Sequence, residues 1–320
     1  MSRRRFLLGL AAATGWMYAQ AQTWPARPIK LIVNFPPGGP GDAVARYIAQ
    51  QASGLLGQQV VVDNRSGGAG AVGILAAANA AADGYTFLYT TTTGLVQVPR
   101  ITKDASFDPL DRLVPVAGVG STPIALLANQ SVPASDFPSF VDWARKQAKG
   151  VDIGGGGPIV EIATAVLAQE TGLKLIYVPY RGTAPVLQAA LGGEIKVFFS
   201  TPSTTISDFV KAGKLKVLGT TSSDRSNLIP GVEPIAKYVP GYVQDINFAI
   251  FSPKGTSAVA SSAFSQAVAK VLSEPGIAEK FSIFGLSARY LPAADVVRIA
   301  ARDAAAIEKT LESTPIKFGE

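Results

Sequence analysis

The chain is long enough for two domains and too apolar to be disordered. Its 320 residues exceed the roughly 250–300 at which a single hydrophobic core stops growing, and 48% of them are hydrophobic while 16% are charged, which excludes an extended disordered chain. The net charge of +6 falls to +3, from 26 basic and 23 acidic residues, once the three arginines that precede residue 22 are set aside. This balance, with no other basic cluster, argues against nucleic acid as a partner.

The first 21 residues have the three parts of a secretory signal peptide. Arginines occupy positions 3–5, an apolar run extends to about Met17, and Ala19-Gln20-Ala21 is a small-residue cleavage site. We predict that the chain is exported and cut near Ala21. The Ser-Arg-Arg-x-Phe-Leu order also resembles a twin-arginine signal, although a Sec leader fits the same residues. A retained anchor is disfavoured because the run is shorter than the roughly 20 residues of a membrane span.

The next segment predicts a strand, a glycine-rich turn and a helix. An apolar run at 29–33 stops at Pro36 and Pro37, and an amphipathic helix follows from about Ala43. Three glycines in the turn allow a guest to approach the backbone and leave their amides free, and the start of a helix favours an anion. The alternative is a tight turn in which Asp42 is the N-cap.

A parallel sheet is predicted to continue from this unit. Strands at 60–62 and 85–89 alternate with an alanine-rich helix, and the second strand ends in Thr90 to Thr93. Ligands of such sheets bind at the carboxyl ends of the strands. Residues 95–122 show no clear periodicity, and we interpret Asp104, Asp108 and Asp111 there as solvated turn residues rather than a metal site.

The strand and helix pattern restarts near Thr122 and predicts a second α/β lobe. A second run of glycines, Gly154 to Gly157, opens a helix, and Thr183 is expected to N-cap the next one. Further strands near 246–251 and 288–291 precede a last helix to about residue 311. We expect domain 1 to comprise 22–122 and 246–320, and domain 2 to comprise 123–245, with residues 1–21 as the signal peptide.

Enzymatic chemistry finds little support. Gly68-x-Gly70-x-x-Gly73 fits the dinucleotide fingerprint, but five residues separate it from its strand and the next strand carries no acid. The chain has no Cys and no His, so Ser-His and Cys-His pairs are excluded. Glu161, in the first turn of a helix, either faces the cleft between the lobes or is a solvated acid favoured by the helix dipole. An exported nucleotide-dependent α/β enzyme is kept as the alternative function.

Short motifs are spread along almost the whole chain, from about Trp24 to Ile316. Together, in this order and spacing, they resemble the extracytoplasmic solute receptors of tripartite tricarboxylate transporters, the Bug or TctC-like family. The motifs are Trp24-Pro25-x-Arg27-Pro28-Ile29, Phe35-Pro36-Pro37-Gly38-Gly39, Val62-Asp63-Asn64-Arg65, Asp83-Gly84-Tyr85-Thr86, Phe107-Asp108-Pro109-Leu110, Val178-Pro179-Tyr180-Arg181-Gly182, Gly192-Gly193 and Ala212-Gly213-Lys214-Leu215.

The resemblance implies a two-lobed α/β fold of the type II periplasmic-binding-protein kind, in which each lobe is a mostly parallel sheet flanked by helices. It further implies a monomeric periplasmic receptor, not an enzyme, with no cofactor and no metal. The ligand is a small organic acid or amino acid, and the partner is a membrane permease of the tripartite type or a sensor protein. The implied ligand-binding residues are Asn34, Phe35, Pro36, Pro37, Gly38, Gly39, Thr90, Thr91, Thr92, Gly154, Gly155, Gly156, Gly157, Tyr180, Arg181, Gly182, Ser200 and Thr201, to which we add Glu161.

Three departures from the family pattern bear on the ligand. Glu161 stands where family members commonly have a histidine, and the preceding loop has four glycines in place of hydroxyl-bearing residues. A tryptophan often found near Asn247-Phe248 is also missing. Fewer side-chain donors disfavour a tricarboxylate, and we expect a monocarboxylate with an apolar or amine-bearing body.

Overall fold

The computed structural model of the protein describes residues 24–101 and 108–313, so the predicted signal peptide, Asp104 and Phe107 lie outside the described residues. No helix within these ranges has the length and apolar composition that crossing a membrane requires. The elements are β1 (Ile29–Val33), α1 (Pro40–Leu56), β2 (Val60–Asn64), a 3-10 helix (Gly68–Gly70), α2 (Ala71–Ala78), β3 (Thr86–Thr91), α3 (Thr92–Ile101), α4 (Pro109–Arg112), β4 (Leu113–Thr122), β5 (Ala125–Asn129), α5 (Phe137–Arg145), β6 (Val151–Gly155), α6 (Pro158–Thr171), β7 (Leu175–Pro179), α7 (Thr183–Gly192), β8 (Val197–Ser200), α8 (Thr204–Lys211), β9 (Leu215–Thr220), a second 3-10 helix (Ile235–Lys237), β10 (Ile246–Pro253), α9 (Ala258–Leu272), α10 (Ile277–Ile283), β11 (Ser287–Pro292) and α11 (Ala293–Ser313).

The strands form two sheets, each covered by helices on both faces. The sheet of the first lobe has the order β11-β4-β10-β3-β1-β2, and that of the second lobe has the order β7-β6-β8-β5-β9. In the first lobe, α1 and α9 pack on one face, and α2, α3 and α11 pack on the other. In the second lobe, α5 and α6 cover one face, and α7 and α8 cover the other. The predicted two-lobed α/β fold is confirmed.

In each sheet most strands share one direction, as predicted, and a minority run against it: β10 and β11 in the first lobe and β5 in the second. β10 runs antiparallel to β3 and β4, and β5 runs antiparallel to β8 and β9. These two strands are the ones by which the chain enters a lobe from the other lobe. Ala125 at the start of β5 is paired with Ser200 and Thr220, where β8 and β9 end. A strand that begins at the edge where its neighbours end must run in the opposite direction.

The segment without periodicity contains regular structure. β4 is ten residues long and almost entirely buried, because it lies between β10 and β11 with α9 and α11 packed on it. A strand buried on both faces does not alternate apolar and polar residues. The period-two pattern that predicts a strand is therefore missing from the sequence of β4. Asp108 accepts a hydrogen bond from the Leu110 amide at 2.8 Å and N-caps α4, which agrees with its interpretation as a turn residue.

Two helices begin earlier than predicted. α1 starts at Pro40, with Gly39 as its N-cap, so Asp42 is the third helical residue and not the N-cap. Proline at the first helical position has the φ angle that a helix needs and loses no bonded N–H. α7 starts at Thr183, and its N-cap is Gly182 with φ +97°, a backbone conformation that threonine avoids.

The glycines that match the dinucleotide fingerprint serve close packing. A Cβ on Gly70 would lie 2.5 Å from Nδ2 of Asn34, and a Cβ on Gly73 would lie 2.7 Å from the Arg65 carbonyl oxygen and 2.8 Å from Cβ of Asn34. All three distances are shorter than van der Waals contact. Glycine at these positions therefore lets α2 approach the end of β1, and no dinucleotide is needed to account for the motif.

We predict that Gly73→Ala destabilises the protein by about 1–3 kcal/mol, because backbone atoms of Arg65 and Asn34 must move to admit the methyl group. Gly54→Ala is the matched control, since Gly54 is exposed on α1 and a Cβ there meets nothing within 4 Å. The control should be stabilised by about 0.5–1 kcal/mol. Urea unfolding of both variants measures the difference, and a Gly73→Ala variant as stable as the native chain would contradict the packing explanation.

Candidate functional site

The loops that the sequence predicted for ligand binding all lie at carboxyl ends of strands. They follow or end β1 and β3 in the first lobe and β6, β7 and β8 in the second. The chain crosses between the lobes at the same edges, because Ile246 pairs with Thr122 and Ala125 pairs with Ser200. The five loops therefore border the cleft between the two lobes.

The loop after β1 is held by a buried carboxylate. Asp42 accepts hydrogen bonds from the Gly38 amide at 2.9 Å, from Nε of Arg46 at 2.8 Å and from Nδ2 of Asn64 at 2.8 Å. Asn64 also donates to the Phe35 carbonyl at 3.2 Å. Burial acts to raise the pKa of Asp42, but the Arg46, Gly38 and Asn64 hydrogen bonds outweigh it and lower the pKa below the ordinary 3.8.

This network changes what the loop can offer an anion. The Gly38 amide, predicted to be free, donates to Asp42, and Pro36, Pro37 and Pro40 have no N–H. The donors left at the start of α1 are the amides of Gly41 and Asp42, which have no partner inside the helix. Pro36, Pro37 and Gly38 are exposed, whereas Asn34 is buried.

We predict that Asp42→Asn lowers the free energy of unfolding at pH 7 by about 1–2 kcal/mol, because a charged acceptor of three hydrogen bonds is lost. The pKa of Asp42 is lower in the folded than in the unfolded chain, so its stabilisation is present above the unfolded pKa of about 4 and is lost as the pH falls through the folded pKa. The difference in Tm between native chain and variant should therefore shrink below about pH 4. Asp142→Asn, at an exposed position on α5, controls for net charge, and a Tm difference that is constant from pH 7 to pH 3 would rule out this role.

Three aromatic rings pack together in the first lobe, beside the loop that follows β1. The Phe35 ring lies 6.0 Å from that of Tyr89 and 5.8 Å from that of Phe248, and the Tyr89 and Phe248 rings stack at 5.8 Å. Tyr89 is fully buried and its hydroxyl has no hydrogen-bond partner among the described residues. Burial raises its pKa well above 10. Phe35 and Phe248 stay partly exposed, so these two rings, unlike that of Tyr89, are accessible from solvent.

The threonines at the end of β3 point mostly into the protein. Thr90 is fully buried, and the Thr92 hydroxyl donates to Oδ2 of Asp303 at 2.6 Å. Thr91 accepts a hydrogen bond from the Gly94 amide at 3.0 Å and is half-buried. Among these three threonines, only Thr91 has a side chain that is partly exposed.

A pocket of about 90 Å³ lies in the second lobe, where α6 and α7 begin. Gly156, Ser200 and Thr201, all predicted from the sequence, line it together with residues that sequence reasoning missed. The apolar Ile246 at the start of the predicted strand near 246–251 is the signal that could have indicated one of these missed residues. The described lining residues carry no charge, and they are Ile124, Gly156, Ile159, Val160, Thr183, Val186, Phe199, Ser200, Thr201 and Ile246.

The second glycine run is partly strand, which corrects the predicted four-residue loop. Gly154 and Gly155 belong to β6 and are buried. A Cβ on Gly155 would lie 2.1 Å from Cγ1 of Val160, and one on Gly156 would lie 2.8 Å from Cα of Gly182. The glycines thus allow β6, α6 and the loop after β7 to pack closely. Gly157, with φ +88°, is the exposed N-cap of α6.

The remaining predicted residues lie around this run. Tyr180 is half-buried beside Gly154, while Arg181 and Gly182 are exposed. Glu161 is half-buried and lies near Tyr177, whose hydroxyl is 3.1 Å from the Gly155 carbonyl. Burial and the Glu161 carboxylate raise the pKa of Tyr177 to about 12. Glu161 is not among the described residues that line the second-lobe pocket.

Two α/β lobes joined by crossing strands, with a pocket at helix N-termini on the cleft, define a solute-binding protein of the periplasmic type. Residues 44–314 match the family model for the tripartite tricarboxylate transporter family receptor, TctC, and the chain belongs to that family. This is a family of receptors, so the protein is not an enzyme and the nucleotide-dependent alternative is set aside.

Individual relatives support the same assignment. BugT of Bordetella pertussis is 32% identical over 295 residues, covering 89% of each chain. A solved structure of a periplasmic transporter is 27% identical, covers 92% of this chain and 99% of its own, and superimposes with a TM-score of 0.74. Rpa4515 of R. palustris, solved with adipate, is 27% identical, with 90% and 97% coverage and a TM-score of 0.72.

Proposed function

We propose that the protein is a periplasmic receptor for a small monocarboxylate with an apolar body, which it binds in the interlobe cleft and delivers to a membrane permease of the tripartite type. The observation that carries this proposal is the second-lobe pocket, in which helix N-termini and hydroxyl groups meet apolar side chains and no described lining residue is charged. The adipate found with the related Rpa4515 supports a carboxylate ligand.

The donors in the cleft suit one carboxylate. In the second lobe they are the amides of Ile159 in α6 and of Thr183 and Ala184 in α7, which have no partner inside their helices, and the hydroxyls of Thr183, Ser200 and Thr201. Each helix N-terminus is equivalent to roughly half a positive charge, so the two together balance about one negative charge. A tricarboxylate would bring two further charges that meet no Lys or Arg among the described lining residues, and burying an unpaired charge is costly.

The apolar walls suit the rest of the ligand. Ile159 and Phe199 line the second-lobe pocket, and we propose that the partly exposed rings of Phe35 and Phe248 extend this apolar surface from the first lobe. Burial of about 100 Å² of apolar ligand surface contributes roughly 2.5 kcal/mol to the free energy of binding. Since no acidic side chain is among the described lining residues, an apolar body is favoured over an amine-bearing one.

Ligand binding is coupled to closure of the cleft, because the proposed site is divided between the two lobes. A ligand that contacts both lobes favours the closed arrangement, because those contacts exist only when the cleft is shut. The closed surface is then what the permease recognises. The predicted signal peptide and the family model support the periplasm and a tripartite permease, in preference to a sensor, as compartment and partner.

The test is a thermal-shift panel on the chain from Gln22 onward, with aromatic and aliphatic monocarboxylates, dicarboxylates, citrate and amino acids. A ligand at about 100 times its Kd adds about 2.7 kcal/mol of stability, which raises the Tm by several degrees. We expect a rise with one class of monocarboxylate. A rise greater with citrate than with every monoacid would overturn the apolar-body proposal, and no rise with any acid would overturn the carboxylate proposal.

Thr201→Asp is expected to weaken binding of the best monocarboxylate by about tenfold or more, because it places a second carboxylate in the pocket. Thr205→Asp is the matched control, since Thr205 is exposed on α8 of the same lobe and does not line the pocket. Isothermal titration calorimetry measures both. Equal loss in the two variants would mean a general charge effect and would argue against ligand binding at Thr201.

A further inference from the structure

The last helix, α11, contacts both lobes. Its chain continues from β11 of the first lobe, and Asp303 anchors it there by the 2.6 Å hydrogen bond from the buried Thr92 hydroxyl. Further along, Ile307 is 1% exposed and packs against Val96 of α3 and Ile162 of α6. Since α6 belongs to the second lobe, this apolar cluster is a direct contact between the lobes.

The two helices that α11 touches carry the site loops of opposite lobes. α3 begins at Thr92, directly after Thr91 at the end of β3, and α6 begins at Pro158, directly after the second glycine run. A helix moves largely as a rigid body. A shift of α6 along or away from α11 therefore displaces the second-lobe pocket relative to the first-lobe loops.

A second pocket, of about 280 Å³, lies between α6 and α11. Ile159 and Val160 of α6 line the ligand pocket, whereas Val166 and Gln169 of the same helix line this second pocket. Residues 159 and 169 are ten positions apart, which is about 15 Å along a helix. The pocket is thus at the opposite end of α6 from the ligand pocket. Its remaining walls are Glu170, Gly241, Val243, Gln244, Arg302, Ala305 and Ala306.

The second pocket also borders a crossing between the lobes. Gln244 lines it, and the next residue, Asp245, precedes β10. Asp245 accepts hydrogen bonds from Ser222 at 3.0 Å and Thr221 at 3.3 Å, just after β9. Thr221 in turn accepts from the Ile124 amide at 2.9 Å, in the other crossing segment. Both crossings are therefore tied together next to α11, and the pocket lies beside the hinge.

We infer that the contact of α11 with α6, together with the pocket beside it, sets how far the cleft opens. The inference rests on the proposed function only in that cleft closure is taken to accompany ligand binding. Because the pocket has one wall on each lobe, its width changes when the lobes rotate about the crossings. A side chain that fills it biases the lobes toward one arrangement and changes ligand affinity without touching the ligand.

The test fills the pocket by Ala305→Trp. Ala301→Trp, one turn earlier on α11, is the matched control, because Ala301 and Ala305 are both exposed and Ala301 does not line the pocket. The lobe arrangement is measured without ligand, by electron–electron resonance between spin labels at Gln50→Cys on α1 and Gln188→Cys on α7. Both positions are exposed, and the chain has no native cysteine to give background labelling.

We expect the distribution of label distances to shift in Ala305→Trp and to stay unchanged in Ala301→Trp. The Kd for benzoate, used as the probe acid, should change about 5-fold or more in the same direction as closure, tighter for a shorter label distance and weaker for a longer one. An unchanged distance distribution in Ala305→Trp, or the same shift in both variants, would overturn the inference. The label distance without ligand tests the inference even if benzoate does not bind. A wrong choice of ligand class would therefore be detected separately, by the absence of benzoate binding.

Discussion

The direction in which β5 and β10 run is the constraint on which the rest of the structure depends. Each strand begins at the edge where its neighbours end, so the chain crosses between the lobes only where the carboxyl ends of the strands meet. Glycine-rich turns and helix N-termini follow those ends. One geometric requirement thus brings the hinge, the loops and the free amides of several helices to the same cleft.

The residues that identify the family are mainly structural. Arg27 pairs with Asp83 at 2.7 Å and lies 4.0 Å over the Tyr85 ring, while Nε1 of Trp24 donates to the Gly84 carbonyl at 3.1 Å. Two motifs far apart in sequence therefore hold each other in place. Asn64, in another motif, fixes the loop after β1 through Phe35 and Asp42. These contacts hold the loop and the start of β1 in place and do not involve the residues that line the second-lobe pocket.

The described residues of the candidate site place charged and dipolar groups in different lobes. The Asp42 carboxylate is buried and fully bonded by Gly38, Arg46 and Asn64, so it stabilises the loop and leaves little basic character there for a ligand. The second-lobe pocket offers backbone dipoles and hydroxyl groups in place of charged side chains. Backbone dipoles that the fold holds in place do not have to reorient when an anion binds. They select among carboxylates by charge, because they balance only a limited number of negative charges. The helix α11 packs through apolar side chains against α3 of its own lobe and α6 of the second lobe.

The sequence by itself determined the fold class, the family and the positions of most strands, because local periodicity, turn residues and ordered motifs do not depend on distant contacts. It also predicted a binding site at strand ends in both lobes. Only the tertiary structure decided which residues of those loops are available. Thr92 is directed to Asp303, on a helix more than two hundred residues later, and Gly154 and Gly155 are drawn into β6 by pairing with β7. Ile246 lines the second-lobe pocket because it begins β10, the strand by which the chain returns to the first lobe between β3 and β4. Partners of this kind come from distant parts of the chain, and no local pattern in the sequence records them.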